Sequence, residues 1–337
     1  MQKLLVTGGA GFIGSHLIHL FLKQHPQYFI VNLDKLTYAA NRYFLQELNN
    51  NPNHHFVEGD VTDFSLVSKL FEEFEFDGVI HLAAESHVDR SISDPLLFVK
   101  TNIEGTGVLL HAAYLHWLNK SDQATPAFKR FLYISTDEVC GPLDNDTVLF
   151  TEHSPINPKN PYSSSKAAGE CLVHSYIHTY KLNAIITRST NNYGPRQHPE
   201  KLIPMVLKHA LEQRPILLHG DGSSIRDWLH VEDHCRAIDC IFHNGQHGAC
   251  YNIGANEERT NLEIASMICT ILDSLQPLKK HTYNAFISFI AERLGQDRRY
   301  GLNYTKLRET LGWKPSITLQ KGIEHLVYSQ ITKLNDC

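Results

Sequence analysis

Two rhythms of apolar residues alternate along the first half of this chain. Short unbroken apolar runs, rich in β-branched residues, recur at Leu4-Leu5-Val6, Phe29-Ile30-Val31, Val79-Ile80, Phe131-Leu132-Tyr133-Ile134 and Ala184-Ile185-Ile186. Between them, apolar positions repeat every three or four residues. The first rhythm belongs to strands buried on both faces and the second to amphipathic helices. The pattern predicts strands at 3–7, 28–33, 55–59, 78–82, 131–134 and 184–188. It predicts helices from Ser15 to about Lys23, over 64–74, over 95–118, and from Tyr162 to about Tyr180. Strand and helix in strict alternation predict an α/β fold, a Rossmann-type doubly wound parallel sheet in dinucleotide-binding order.

Beyond residue 190 the rhythm changes. Short strands at 216–220, 225–231 and 249–253 mix with helices near 201–212, 232–244 and 261–275. They predict a smaller mixed α/β lobe that binds substrate. The division expected is 1–190, joined by about 227–260, for the dinucleotide domain, and 191–226 with 261–337 for the lobe.

Composition narrows the classes. The chain has 337 residues, 42% hydrophobic and 20% charged, with a formal net charge of −5. That suits a globular protein and gives no general affinity for nucleic acid or anionic membranes. No apolar run approaches the roughly 20 residues of a membrane helix, and no signal-peptide pattern opens the chain. Seven cysteines without Cys-x-x-Cys spacing fit a reducing, cytoplasmic setting. The 21 histidines are dispersed and no His-Glu-x-x-His occurs, so no metal site is expected.

Candidate chemistry sits at strand ends. Gly8-x-x-Gly11-x-x-Gly14 follows the first strand and opens the first helix, the context a dinucleotide phosphate requires. Asp34 closes the second strand some 20 residues beyond Gly14, where a carboxylate accepts from a ribose 2′-hydroxyl and repels a 2′-phosphate. This predicts NAD over NADP, with Lys35 alongside. Asp60 and Val61 end the third strand and can meet the adenine. Ala83 and Ala84 are small enough for close backbone approach to a cofactor, and Ser86 can reach a substrate. Ser135-Thr136-Asp137-Glu138 follows the fifth strand; by itself it reads either as a polar loop or as an acid and base side by side. Tyr162 and Lys166 stand four apart on an opening helical turn, so both face one side. A cation there is expected to lower the phenol's pKa, and Thr136 to hydrogen-bond both phenol and substrate. Arg226 is a candidate for a phosphate or base. The 293–299 stretch adds positive charge that can face a diphosphate.

These motifs resemble the extended short-chain dehydrogenase/reductase superfamily. More narrowly, the chain is similar to nucleotide-sugar 4,6-dehydratases, most nearly those acting on dTDP-glucose. The similarity runs through Asp34-Lys35-Leu36-Thr37-Tyr38, Leu82–Ser91, Ser135–Val139, Asn191–Pro195, Pro199–Pro204, Ile225–Leu229 and Gly312–Pro315. The resemblance implies NAD contacts also at Phe12, Ile13, Leu36, Thr37, Leu82, Thr101 and Asn192, besides Tyr162 and Lys166. It implies substrate contacts at Ser86, Thr136, Asn191, Lys201, Leu202, Leu217, His219, Arg226, Asn261, Glu292, Arg293 and Gln296. It implies a mechanism too. Tyr162, with Lys166, removes the 4-hydroxyl proton while hydride leaves C4 for NAD⁺. Glu138 takes the C5 proton, Asp137 protonates the departing 6-hydroxyl, and hydride returns to C6. A homodimer pairing helices near 102–118 and 162–180 in a four-helix bundle is also implied, and a deoxysugar such as rhamnose as the product's destination.

The chain departs from the family at His219, where an aromatic tyrosine is usual, at Arg196-Gln197-His198, and at Glu292–Asp297. All three lie where the nucleotide is expected. UDP-glucose is therefore the alternative substrate. A sugar 4-epimerase or UDP-glucuronate decarboxylase has no need of the Asp137–Glu138 pair. A non-catalytic NAD-binding protein has no need of Thr136, Tyr162 and Lys166.

Overall fold

The computed structural model describes residues 1–48, 50–118, 129–145, 147–292 and 297–335. The loop expected at 119–126 lies outside the described residues.

Six strands follow the predicted alternation: β1 (Gln2–Thr7), β2 (Tyr28–Asp34), β3 (His54–Glu58), β4 (Gly78–His81), β5 (Arg130–Thr136) and β6 (Ala184–Ser189). β7 (Asn191–Tyr193), β8 (Ile216–His219), β9 (Ile225–His230), β10 (Cys250–Ile253), β11 (Glu258–Thr260) and β12 (Ile287–Ile290) follow. Seven strands form one sheet in the order β10-β6-β5-β4-β1-β2-β3. Every pairing in it is parallel. The sheet is covered on both faces, so its inner strands are largely apolar and buried, while the edge strand β3 stays partly exposed. Residues 131–135 of β5 are all buried.

Leu17, Phe21, Ile238, Ile241 and Phe242 pack one face, from the helices Phe12–Gln24 and Val231–Asn244. Leu70, Phe71, Leu109, Ala113, Val173 and Ile177 pack the other, from Phe64–Phe74, Gly105–Trp117 and Pro161–Tyr180. β11-β9-β7 and β12-β8 make two small sheets. The helices Leu202–Leu211, Asn261–Leu275 and Leu319–Asn335 close a separate core around Tyr193, Trp228 and Tyr283. Among the described residues no helix is long and apolar enough to cross a membrane.

Two local departures bear on the site. The fifth strand runs on to Thr136, so Ser135 and Thr136 belong to the sheet edge, and Asp137–Cys140 forms a single 3₁₀ turn. The helix expected over 95–118 is interrupted by a π-helical turn at Val99–Glu104. The Asn102 side chain in that turn is buried. Its Oδ1 accepts from Glu85 N at 2.9 Å, and its Nδ2 donates to Glu85 O at 3.0 Å and Ser165 Oγ at 2.8 Å. One amide so joins the loop after β4 to the helix carrying Tyr162, a common use of a π bulge.

Candidate active site

Strand order reverses between β1 and β4, and the loops leaving their C-terminal ends part there. A cavity of about 310 Å³ opens between them. The glycine turn forms one wall. Gly8 has φ +75°, and a Cβ there would stand 2.7 Å from Ala83 N. Only glycine combines that dihedral with that approach. A Cβ on Gly14 would meet Gly8 O at 2.2 Å. Gly11 caps the following helix without a side-chain hydrogen bond, which suits the helix end to an anion.

Asp34 Oδ2 accepts from Ala10 N at 2.9 Å and Oδ1 from Leu36 N at 2.8 Å. The carboxylate thus braces the glycine turn while lining the cleft. Burial raises its pKa, and the two N–H groups and Lys35 pull it down. Lys35 Nζ lies 3.4 Å from both Asp60 Oδ2 and Thr101 Oγ1.

The other end of the cleft holds the candidate chemistry. Thr136 Oγ1 donates to Asp137 Oδ1 at 3.1 Å and accepts from Glu138 N at 3.3 Å. Asp137 is buried and its Oδ2 has no hydrogen-bond partner among the described residues. Burial, then the Glu138 charge, pushes its pKa up to about 8, against the pull of Arg226 and the Thr136 hydroxyl. This carboxyl holds its proton through neutral pH.

Asn160 and Pro161 set the Tyr162 helix in place. Asn160 Oδ1 accepts from Ser163 N at 2.8 Å, and Ser163 Oγ accepts from Asn160 N at 3.2 Å, a closed capping box. Asn160 Nδ2 also reaches Glu138 Oε2 at 3.4 Å. Burial, then Glu138, holds the Tyr162 phenol above its ordinary pKa, with the Thr136 hydroxyl pulling it down. Lys166 is buried. Its Nζ donates to Ile134 O at 2.6 Å and stands 4.2 Å from the Tyr133 ring centroid. Burial brings its pKa down to about 7, with Glu170 pulling it up. The lysine expected to act on the phenol holds the Ile134 carbonyl, while burial, Glu138 and Asp137 raise the Tyr162 pKa and the Thr136 hydroxyl lowers it. A desolvated cation takes the nearest acceptor.

The cleft gathers Gly8, Gly11, Phe12, Ile13, Gly14, Asp34, Lys35, Thr37, Val61, Leu82, Ala83, Ala84, Ser86, Thr101, Thr136, Asp137, Glu138, Tyr162, Lys166, Asn191, Asn192 and Lys201. Leu36 and Asp60 stand just behind its wall, Leu36 holding Asp34 and Asp60 holding Lys35. Leu202, Leu217, His219, Arg226, Asn261 and Glu292 do not line it. His219 and Glu292 flank a turn of the smaller lobe: His219 Nδ1 bonds Ala291 O at 3.0 Å, and Glu292 faces Gly220. Asn261 joins that region through Ser224 O at 3.0 Å. Arg226 donates to the carbonyls of Ile225 and Asp297 at 2.7 and 2.9 Å and covers the Tyr300 ring, while its charge acts on Asp137. Arg293 and Gln296 lie outside the described residues. Arg299, expected to add charge toward a diphosphate, is instead buried and held by Glu258 at 2.7 and 2.8 Å. A guanidinium without solvent requires such a partner.

Tyr38, Glu85, His87, Ser135, Thr190, Gln197 and His198 also line the cleft, Gln197 and His198 from the stretch where the nucleotide is expected and Ser135 from the run that holds the acid and base, and Asn160 touches Glu138. Asn160 carried a local signal of its own, Asn-Pro ahead of a helix.

This strand order, with a glycine turn at the switch point and a Tyr-x-x-x-Lys helix across the cleft, defines a short-chain dehydrogenase/reductase of the extended type. The chain belongs to the GDP-mannose 4,6 dehydratase family, whose model matches residues 5–326. It is 47% identical to dTDP-glucose 4,6-dehydratase of Haemophilus influenzae over 97% of both chains. The fold matches the dTDP-glucose 4,6-dehydratase DesIV of Streptomyces venezuelae, solved with NAD and TYD bound, at a TM-score of 0.88 and 38% identity over 99% of this chain and 98% of that one. UDP-glucose 4-epimerase of Thermotoga maritima, solved with UDP-glucose, also matches at 0.84 and 28% identity over 99% of this chain and all of that one. Fold alone therefore does not separate dehydration from epimerisation.

Proposed function

We propose that this protein binds NAD and removes water from dTDP-glucose, giving dTDP-4-keto-6-deoxyglucose. The observation that carries the reading is Asp137, a buried carboxyl that stays protonated at neutral pH beside the Glu138 carboxylate and one strand residue from Thr136. An acid and a base held at different pKa values are what an elimination needs.

The residues fit a dinucleotide. The glycine turn leaves a cradle that a Cβ at Gly8 or Gly14 would fill, and the buried Ser135 and Thr190 hydroxyls in the cleft have no partner among the described residues. Bound NAD supplies the oxidation at C4 and the reduction at C6. Gly8, Gly11 and Gly14 admit the diphosphate, and Asp34 faces the ribose. Tyr162 takes the proton of the 4-hydroxyl, with Thr136 orienting both. Glu138 removes the proton at C5, made acidic by the adjacent ketone. Asp137 gives its proton to the 6-hydroxyl as the C6–O bond breaks, so water leaves, and Glu138 returns its proton to C5 once C6 is reduced. Both relatives named dTDP-glucose 4,6-dehydratase support dTDP as the nucleotide.

The test is incubation of the purified chain with dTDP-glucose and, separately, UDP-glucose, followed by mass spectrometry. Loss of one water from the dTDP sugar is the expected result. Loss from the UDP sugar alone reassigns the nucleotide. Loss from neither removes the dehydratase reading.

The seven-stranded domain binds NAD, and residues 191–226 with 261–337 hold the nucleotide sugar. The enzyme works as a homodimer through the helices Gly105–Trp117 and Pro161–Tyr180. In support, Tyr114 and Tyr180 meet on that surface with ring centroids 4.3 Å apart and planes tilted by 37°, and Tyr180 is 40% exposed. Light scattering tests this. A cytoplasmic setting and supply of a deoxysugar such as rhamnose complete the reading.

A further inference from the structure

A second group of chemically capable side chains lies at the opposite end of the sheet. Asp239 and His243 are four residues apart on the helix Val231–Asn244 and so share a face. His25 caps the C-terminus of the helix Phe12–Gln24. His25 Nε2 lies 2.8 Å from Asp239 Oδ1, and His243 Nδ1 lies 2.9 Å from the same oxygen. One ligand atom from each of the three falls within 4.8 Å of the others. The two imidazole rings stand 4.6 Å apart, tilted by 30°.

We propose that His25, Asp239 and His243 form a binding site for one divalent transition-metal ion of the zinc type, fastening the helix Phe12–Gln24 to the helix Val231–Asn244. Two imidazoles and a carboxylate are a donor set for zinc, nickel or copper and a poor one for calcium or magnesium. Bonds of about 2.0–2.2 Å in a tetrahedron set ligand atoms roughly 3.4 Å apart. The two short edges therefore open by about half an ångström when an ion replaces the shared protons. His25 can yield this much, since its backbone has already left the helix at φ −127°. The Tyr28 hydroxyl lies 2.9 Å from His243 Nε2. Nδ1 also lies 2.9 Å from the Asp239 carbonyl, so an ion binding at Nδ1 displaces the proton held there while Tyr28 accepts from Nε2 and orients the ring, the usual task of an outer partner. The three side chains keep 21%, 17% and 26% of their exposure, so a fourth position opens to water.

The ion would stand far from the cleft. Tyr28 starts β2 and Asp34 ends it beside the glycine turn, a run of roughly 20 Å. The site's effect is on the join between two helices that pack together on one sheet face through Phe21, Ile238 and Phe242, not on the chemistry.

The full chain, stripped with chelator and exchanged into chelator-free buffer, is titrated with Co²⁺ and then Zn²⁺. One Co²⁺ per chain is expected, with the visible absorption of a four-coordinate ion, displaced by Zn²⁺. Saturating Zn²⁺ should raise Tm by a few degrees. His25→Gln and the isosteric Asp239→Asn should each weaken Co²⁺ binding at least about tenfold and remove the Tm rise. A His174→Gln/His178→Gln variant, which removes another pair four apart on one helix, should change neither. Circular dichroism and NAD binding establish that the variants are folded. Absence of stoichiometric binding to the unaltered chain, or binding that survives both His25→Gln and Asp239→Asn, leaves a hydrogen-bonded trio only and overturns the proposal.

Discussion

Asp137 accepts the Thr136 hydroxyl on Oδ1 at 3.1 Å, while its second oxygen, also out of solvent, meets no partner among the described residues. The carboxyl is braced on one side and left with a hand toward the cleft, which suits a group that must deliver a proton there.

That arrangement sets a pH dependence. Asp137 is raised from the usual carboxylate range to about 8, by burial first and Glu138 second. The unfolded chain releases this proton near pH 4, while the folded chain keeps it to about 8. The folded state therefore binds more protons across that window, and this group makes stability fall as pH rises through it, levelling above pH 8. Asp137→Asn has no proton to lose. It should be more stable than the unaltered chain at pH 8, on the order of a few kcal/mol, with the gap closing toward pH 4. Urea unfolding at several pH values measures this; a gap independent of pH would show that the carboxyl is already ionised. The same variant should lose water elimination by about 100-fold or more, and in the unaltered enzyme elimination should decline above about pH 8.

Glu138→Gln should separate oxidation from elimination. The amide keeps the size of the carboxylate, and Asn160 remains within reach of the position, but it cannot take a carbon-bound proton. With dTDP-glucose, absorbance from reduced nicotinamide should accumulate on the enzyme while release of 4-keto-6-deoxy product falls by roughly 100-fold to 10,000-fold. Undiminished turnover would move the base to another residue.

Lys166 gives a third test. Its ammonium donates to Ile134 O at 2.6 Å, at the end of β5 and just ahead of the acid–base pair. Lys166→Met removes the cation and leaves that carbonyl without its donor. Oxidation, followed through the cofactor absorbance, should slow by about 100-fold, with substrate KM nearly unchanged because the lysine does not reach toward the smaller lobe. An equal rise in KM would assign the lysine to substrate binding instead.

What the chain's pattern made legible was the frame. Buried strands must be apolar, so β1, β2, β4, β5 and β6 stood out, and glycines at a strand–helix junction marked the dinucleotide turn. Asp137 and Glu138 were legible because two carboxylates at a buried strand end need a reason. The direction of a long side chain was not, since Lys166 chooses its acceptor from a different element. The π turn around Asn102 was hidden because its cause is a tertiary bridge from Glu85 to Ser165. His25, Asp239 and His243 are brought together only by the packing of two helices, with His25 and Asp239 214 residues apart in the chain. His219 and Glu292 were placed in the smaller lobe by their position in the chain, but their meeting around Gly220 depends on β8 pairing with β12, which no local pattern announces.

The last prediction concerns what holds the Tyr162 helix to the sheet. Arg188 on β6 grips Glu170 with Nε at 3.0 and 3.2 Å and a terminal nitrogen at 2.7 Å, both side chains almost wholly buried. Burial opposes the charge on Arg188, but the hydrogen-bonded carboxylate outweighs it and raises its pKa. Glu170 lies four residues beyond Lys166 on the same helix face and is also the group that pulls the lysine's pKa up. Breaking this pair from either side leaves an uncompensated buried charge, so Glu170→Leu and Arg188→Met should each cost about 3–5 kcal/mol. Replacing both with apolar residues removes both charges, and the double variant Glu170→Leu/Arg188→Met should lose less than the sum of the two singles. Urea unfolding of the four proteins gives the coupling directly. If the losses add, the pair does not act as a unit. Glu170→Gln should also lower the Lys166 pKa, seen as a shift in the pH profile of oxidation that Arg188→Met, with the carboxylate intact, does not share.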